Sequence, residues 1–230
     1  MLLEMRVSII IPVLNEAENI KASLQALQNY RKQGHEIIVV DGNSQDDTVE
    51  LANGLHDKLI TSGPGRARQM NAGAEQARGN ILLFLHADTT LPDQAISHIT
   101  AAILKTNKAW GRFDVSLSGR RLLLRLVAGM MNLRSRLTGI ATGDQGMFIK
   151  REIFHRLNGF PDIPLMEDIT LSQRLLLESR PICLPDKVIT SSRRWEQNGI
   201  IRTIVLMWYL RLAYFFGKQP EALMRMYSQS

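Results

Sequence analysis

The sequence predicts an α/β protein with a mainly parallel central sheet flanked by helices, and with further helices at its C-terminal end. Two observations lead to this fold class. Short β-branched runs alternate with helical patterns of about 10–15 residues through the first half, which is typical of βαβ units. These runs are also continuously apolar, as expected of strands that are covered on both faces. No linker or low-complexity tract divides the 230 residues, so we expect one domain.

The first half contains four predicted strands, each followed by a predicted helix. The strands are residues 7–11, 36–40, 58–61 and 81–85. Leu14, Ala17, Ile20, Leu24 and Leu27 recur at helical spacing after the first strand. The later helices are predicted over residues 46–53, 66–78 and 92–104.

The second half has a less regular pattern. Residues 110–117 alternate like a half-exposed strand, and residues 121–137 form a basic amphipathic helix. The remaining predictions are a strand over 143–149, a helix over 168–180, an extended segment over 182–190, and helix in the last thirty residues.

Composition narrows the function classes. Apolar residues make up 45% and charged residues 22%, which excludes a disordered chain. The 28 Lys+Arg against 22 Asp+Glu leave a charge of +6, which favours anionic partners. No P-loop, no G-x-S-x-G elbow and no Cys/His zinc cluster is present, and the aromatic residues do not interleave with the basic ones as in nucleic-acid binding.

We expect a cytoplasmic protein. The lone Cys183 indicates a reducing compartment, and neither terminal apolar run is long enough to predict a signal peptide or a membrane span. Residues 120–137 combine several arginines with apolar side chains, which is typical of a helix at a membrane surface. A core or dimer helix with a solvated basic face fits as well. Peripheral attachment to the inner face of the cell membrane, and a homodimer, both stay open.

Polar residues follow the predicted strands where ligands bind in open α/β sheets. Asp41 can accept hydrogen bonds from a base or ribose, or it can hold an Asx turn. His86 and Asp88 would point the same way in an extended chain. Asp88 can then hold Mg²⁺ or Mn²⁺ together with substrate phosphates, or it can cap a turn.

Three further groups of residues have side chains that suit catalysis or ligand binding. Glu167 and Asp168 open a helix, where only one of them faces a given pocket, and Asp168 also fits an N-cap. Arg194 and Trp195 suit phosphate and stacking, or form a solvated basic turn. Asp144 and Gln145 form a tight polar loop that is either structural or in contact with substrate.

Taken together, these segments resemble family 2 glycosyltransferases, which have the nucleotide-sugar-binding GT-A fold. The matching stretches run in order over most of the chain: residues 6–16 (RVSIIIPVLNE), 36–48 (EIIVVDGNSQDDT), 65–74 (GRARQMNAGA), 81–92 (ILLFLHADTTLP), 142–148 (TGDQGMF), 166–168 (MED) and 192–195 (SRRW). Three of them more narrowly resemble a bacterial subgroup with radical-SAM neighbours, associated with arsenosugar biosynthesis.

The resemblance implies roles for individual residues. The residues implied for the nucleotide and donor sugar are Pro12, Asn15, Glu16, Asp41, Arg66, Met70, Ala87 and Asp88. Asp88 matches the last acid of the family's D-x-D metal motif, whereas His86 stands at the first acid. Asp168, beside Glu167, matches the catalytic base. Asp144, Gln145, Arg194 and Trp195 are placed on the acceptor and diphosphate side.

The implied reaction is an inverting, non-processive and metal-assisted transfer from a UDP-sugar or GDP-sugar to an acceptor hydroxyl. Ser191 replaces the Gln of the Q-x-x-R-W motif of processive synthases. Residues 6–105 would form the nucleotide-binding half, 106–199 the acceptor half, and 200–230 a helical extension. Two alternatives remain: a sugar-nucleotide nucleotidyltransferase, and a catalytically silent scaffold of the same fold at a membrane surface.

Overall fold

A single mixed sheet of eight strands organises the molecule, for which a computed structural model describes residues 5–228. The strands are β1 (Val7–Val13), β2 (Glu36–Asp41), β3 (Lys58–Thr61), β4 (Ile81–Phe84), β5 (Thr89–Thr90), β6 (Trp110–Leu117), β7 (Met147–Lys150) and β8 (Ile182–Thr190). Their order across the sheet is β3-β2-β1-β4-β7-β6-β8-β5.

Helices cover both faces of this sheet. Their bounds are α1 (Ile20–Ala26), α2 (Gln28–Lys32), α3 (Thr48–Ala52), α4 (Arg66–Gln76), α5 (Ala95–Thr106), α6 (Leu122–Thr138), α7 (Arg151–Arg156), α8 (Glu167–Leu176), α9 (Arg193–Gln197), α10 (Ile200–Phe215) and α11 (Pro220–Ser228). A 3₁₀ turn, Gly143–Gln145, precedes β7.

The first four strands pair in parallel, as predicted. β1 pairs with both β2 and β4, and β2 pairs with β3. All residues of β1, β2 and β4 are buried, because α4 covers one face and α1 and α5 cover the other. The carboxyl ends of these strands therefore meet at one edge.

Beyond β4 the sheet is mixed. β7 runs antiparallel to β4 and β6, and β5 runs antiparallel to β8, whereas β6 and β8 are parallel. Four of the seven pairings are therefore parallel, which confirms the predicted fold class.

Several predicted boundaries were wrong. The first helix begins at Ile20 instead of Leu14, because Asn15 takes a left-handed conformation (φ 54°) and Leu14 is exposed. The expected half-exposed pattern of residues 110–117 holds only from Asp114 onward. Before it, Arg112 lies fully buried in an ion pair with Asp114.

Other boundaries differ at helix ends. α8 ends at Leu176, four residues short of the prediction over 168–180, and the chain then turns through residues 177–178. The predicted strand over 143–149 begins as the 3₁₀ turn. A positive φ at Gly217 interrupts the C-terminal helical segment, which therefore forms two helices.

The C-terminal helices pack against the loop that leads into α8. Met166, Leu210 and Leu223 form a small buried cluster there, and the Thr170 and Tyr214 hydroxyls lie 2.6 Å apart. α10 and α11 therefore form a wall of the site described next. Within residues 5–228, no helix is both long enough and apolar enough to cross a membrane.

Candidate active site

A small recess opens at the carboxyl edge of the sheet. It lies between α4, the end of β4, the 143–145 turn, α8 and the C-terminal helices, and its volume is about 110 Å³. Six of the residues that the sequence nominated line it: Arg66, Met70, His86, Asp144, Glu167 and Asp168. Ligand sites for molecules of drug size typically measure about 300–1,000 Å³, so the recess as it stands is smaller than a nucleotide-sugar.

The backbone before α8 sets the direction of the acidic pair. Met166 has a left-handed conformation (φ 71°, ψ 17°), which a residue with a Cβ adopts only where its surroundings hold it. Its buried side chain packs against α10 and α11. The helix that follows places both Glu167 and Asp168 in the recess, although only one of them was expected to face a given pocket.

Asp168 also fixes the neighbouring turn. One carboxylate oxygen accepts the Gly143 backbone N–H at 2.9 Å, and the other accepts the N–H of Ile169 at 2.7 Å. The N-cap alternative is therefore not what the structure shows, because Asp168 lies inside the first turn and its longer-range bond goes to another segment. Each oxygen keeps acceptor capacity, since a carboxylate offers about four lone-pair sites.

Opposite charges surround this pair. Burial, followed by the negative charge of Asp168, raises the pKa of Glu167 to about 7. Burial also acts to raise the pKa of Asp144, but the hydrogen bond and charge of His86, followed by Arg66, hold it below its usual value. Burial alone would lower the pKa of Arg66, yet Tyr227 and the three acids raise it. The recess thus combines a protonatable acid with fixed cations.

The raised pKa of Glu167 predicts a pH dependence of stability. The carboxyl pKa is 4.5 in the unfolded chain and about 7 in the folded state, so between these pH values only the folded state holds the proton. The free energy of unfolding therefore falls as the pH rises from 4.5 to about 7. Glu167→Gln cannot titrate, so its melting temperature should fall less from about pH 5 to about pH 8. The exposed Glu152→Gln is the control. Thermal unfolding curves of equal slope for Glu167→Gln and the native chain would contradict the assignment.

His86 and Asp144 face each other across the recess. His86 Nδ1 lies 3.6 Å from an Asp144 carboxylate oxygen. The ring packs so closely on Gly143 that an added Cβ would lie 2.6 Å from Nε2. Glycine is therefore required at position 143 for the imidazole to keep this place.

Asp88 lies outside the recess, contrary to the expectation that it would point the same way as His86. The chain leaves the extended conformation after β4, and the Thr89 N–H donates to the His86 carbonyl oxygen in a turn. Asp88 is half-buried, and the hydroxyl of Thr89 donates to it over 3.3 Å. Ala87 between them is buried in the core. The turn-cap alternative for Asp88 thus has local support.

The residues expected around the nucleotide form a hydrogen-bonded edge at the ends of β1 and β2. Asp41 is buried and accepts the N–H groups of Asn43 and Ser44, as in the Asx-turn alternative. The Asn15 side-chain oxygen accepts the Gln45 N–H, and the Glu16 N–H donates to Thr48. Pro12 pairs with β2 inside the sheet. None of the four nominated residues at this edge lines the recess.

The residues expected on the acceptor side do not all line the recess. Gln145 is fully buried and closes a capping box with Thr142, whereas Asp144 lines the recess. Trp195 packs partly buried against the core.

Arg194 lies over the ring of Tyr227, 3.5 Å from its centroid, and donates to the Tyr227 carbonyl oxygen. It does not line the recess, and the alternative of a solvated basic turn was wrong because Arg194 is half-buried. Tyr227 itself lines the recess, so Arg194 acts there by holding α11 in place.

Sequence reasoning missed the contribution of the C-terminal helices. Met207, Leu210 and Arg211 of α10 and Tyr227 of α11 all line the recess. Arg134, which was assigned to the basic face, is half-buried instead, and burial lowers its pKa to about 10. The sequence showed only that an arginine lies at this position of the predicted helix. The neighbouring residues did not distinguish Arg134 from the exposed arginines of the same helix.

Comparison with known proteins shows the family and the fold of the chain. The family model for glycosyl transferase family 2 matches residues 8–157. The probable glycosyltransferase YdaM of Bacillus subtilis is 29% identical over 238 residues, which cover 93% of this chain and 55% of the relative. The chain thus spans about half the length of this relative.

Two solved structures share the fold. The mannosyltransferase PcManGT from Pyrobaculum calidifontis, in complex with GDP-Man and Mn²⁺, gives a TM-score of 0.64 at 23% identity over 80% of this chain and 56% of that one. S. aureus TarS in complex with UDP-GlcNAc gives 0.65 at 21% identity over 81% and 58%. The chain belongs to glycosyltransferase family 2 and has a GT-A-like fold.

Proposed function

We propose that this family 2 protein moves a sugar from a nucleotide-diphosphate sugar to an acceptor hydroxyl in a single inverting displacement. The observation that carries the proposal is the meeting of Glu167 and Asp168 with Arg66 and the His86–Asp144 pair in one recess. An acid–base group, a proton-holding neighbour and a fixed cation are what such a transfer needs. Ser191, which stands where processive synthases have the Gln of Q-x-x-R-W, supports a non-processive reaction.

Asp168 is the general base in this proposal. It removes the acceptor proton as the hydroxyl oxygen attacks the anomeric carbon, which typically contributes about 10²–10⁴-fold to the rate. Its bond from the Gly143 N–H fixes the carboxylate against the turn that also carries Asp144. The raised pKa of Glu167 lets its carboxyl group hold a proton near neutral pH. A protonated Glu167 adds no second negative charge beside Asp168.

In this proposal the nucleotide binds at the edge where β1 and β2 end, on Pro12, Asn15, Glu16 and Asp41, and Arg66 and Met70 of the recess lie near the nucleotide or the donor sugar. The solved relatives bind GDP-Man and UDP-GlcNAc, so we propose a GDP-sugar or UDP-sugar as the donor. The closely packed loop 43–48 supplies several backbone groups beside that edge.

Asp88 fits a divalent cation in part, whereas His86 faces Asp144 in the recess. The Asp88 carboxylate, beyond the end of β4, receives only the long bond from Thr89, so its oxygens remain available to a hard cation. Within residues 5–228, no group of three His, Cys, Asp or Glu side chains is arranged to hold a metal. The substrate diphosphate and water would complete such a site. A bound Mn²⁺ or Mg²⁺ would offset the charge on the departing diphosphate.

The proposal includes a single domain over residues 1–230 and the bacterial subgroup named above, for which the segments 65–74, 86–88 and 142–148 are the support. A nucleotidyltransferase would need a basic glycine-rich loop after β1. Residues 14–17 (LNEA) contain neither a basic side chain nor a glycine. A silent scaffold has no need for two adjacent carboxyl groups, Glu167 and Asp168, that line one recess.

Nucleotide binding is the direct test. We expect UDP or GDP, but not CDP or dTDP, to raise the melting temperature, and Mn²⁺ to enlarge the shift. A ligand at 100 times its Kd stabilises the fold by about 2.7 kcal/mol. Differential scanning fluorimetry of the four nucleotides with and without Mn²⁺ measures this, with Mn²⁺ alone as the control. If none of the four nucleotides raises the melting temperature, with or without Mn²⁺, the proposed donor site is overturned.

A further inference from the structure

Helix α6 exposes a second apolar face opposite its core face. Leu124, Val127 and Met131 are buried in the core on one side. Five large apolar residues are exposed: Leu122, Leu126, Met130, Leu133 and Leu137. At about 100° per residue they fall within one stripe less than a quarter-turn wide.

Helix α10 has the same construction. Its inner face, with Leu210 and Met207, lines the recess and packs against α11. Its outer face exposes seven large apolar residues: Ile201, Val205, Trp208, Tyr209, Leu212, Phe215 and Phe216. Helices α6 and α10 are in contact, so we treat the two stripes as parts of one surface. We call them together the α6/α10 face.

The charged residues of the two helices and their flanking segments have one sign. No Asp or Glu occurs in residues 117–141 or 197–220, whereas these segments contain eight Arg and Lys. Five of the eight are exposed and make no ion pair within the described chain: Arg120, Arg121, Arg125, Arg202 and Lys218. The apolar stripes are therefore bordered by free positive charge.

We propose that the α6/α10 face docks on a bilayer surface that contains anionic lipid. Apolar side chains enter the headgroup region, the basic residues pair with lipid phosphates, and Trp208 and Tyr209 lie at the level where amphipathic rings are favoured. A second copy of the chain is the less favourable occupant, because two such faces would bring like charges together. Docking does not depend on the proposed transfer reaction, so it is tested without nucleotide.

Vesicle co-sedimentation with two vesicle types tests the proposal. The native chain should bind phosphatidylglycerol/phosphatidylcholine vesicles at least about tenfold more strongly than pure phosphatidylcholine, and less strongly at high salt. Leu126→Glu combined with Val205→Glu should weaken binding about tenfold or more. Leu104→Glu and Leu177→Glu introduce the same charge at exposed leucines elsewhere and should bind as the native chain does.

A second measurement remains informative if the double variant folds poorly. Trp208 is the exposed tryptophan, while Trp110 is fully buried and Trp195 is half-buried. Its fluorescence should shift to the blue when anionic vesicles are added, and Arg121→Gln with Arg125→Gln and Arg202→Gln should reduce the shift. Absence of binding to anionic vesicles, or equal binding by the double variant, would overturn the proposal. A native dimer that the double variant converts to monomer would assign the face to a second copy instead.

Discussion

Asp168→Asn is expected to lower kcat for sugar transfer by about 10²–10⁴-fold while nucleotide affinity stays within about twofold. The amide keeps one acceptor oxygen for the Gly143 N–H and gives up the acceptor for the Ile169 N–H, so the 143–145 turn should hold, but the amide cannot take a proton. The measurement is steady-state transfer with the donor found in the nucleotide screen, together with calorimetric binding of that nucleotide.

Two further variants serve as comparisons for Asp168→Asn. Asp162→Asn removes an exposed carboxylate, paired with Arg68, from the loop before α8 and should leave kcat close to native. Glu167→Gln mimics the neutral form that Glu167 partly populates near pH 7 and should lower kcat less than Asp168→Asn. If Asp168→Asn instead loses nucleotide binding and thermal stability together, Asp168 is a structural residue that holds the turn.

Asp88→Asn should reduce transfer by about 10²–10³-fold and raise the Mn²⁺ concentration needed for half-maximal activity, because metal coordination by a carboxylate contributes several kcal/mol of charge stabilisation. The exposed Asp93→Asn, five residues along the same loop, should behave as native. The readout is activity across a Mn²⁺ and Mg²⁺ titration after chelation. Unchanged metal dependence in Asp88→Asn would show that Asp88 only caps its turn.

The parallel half of the sheet was predictable because its signals are local. β1, β2 and β4 are continuous apolar runs, and burial on both faces requires such runs wherever the chain places them. The start of α1 was not predictable from apolar spacing. Leu14 has the right residue type, but the Asn15 turn, held by Ser44 and Gln45, overrides the pattern.

The candidate site was predictable in part for a similar reason. Arg66 opens the helix after β3, so its place at the carboxyl edge follows from the βαβ pattern. Asp144 comes just before β7, which runs antiparallel to β4 and therefore begins at the same edge. Arg194 was assigned to phosphate, yet its guanidinium stacks on Tyr227, far along the chain. Contacts of this kind depend on how the C-terminal helices pack, and no local pattern encodes that packing.

Helix α4 joins two regions that the sequence separates widely. Gln69 donates to the carbonyl oxygens of Val13 and Val40 at the ends of β1 and β2, while Asn71 holds the backbone of Phe160 by both its N–H and its oxygen. The carboxyl ends of β1 and β2 and the loop leading into α8 are thus hydrogen-bonded to the same helix. Neither can hinge independently of the other. Under the proposed function, we therefore expect any widening of the recess at the opposite wall, which α10 and α11 form.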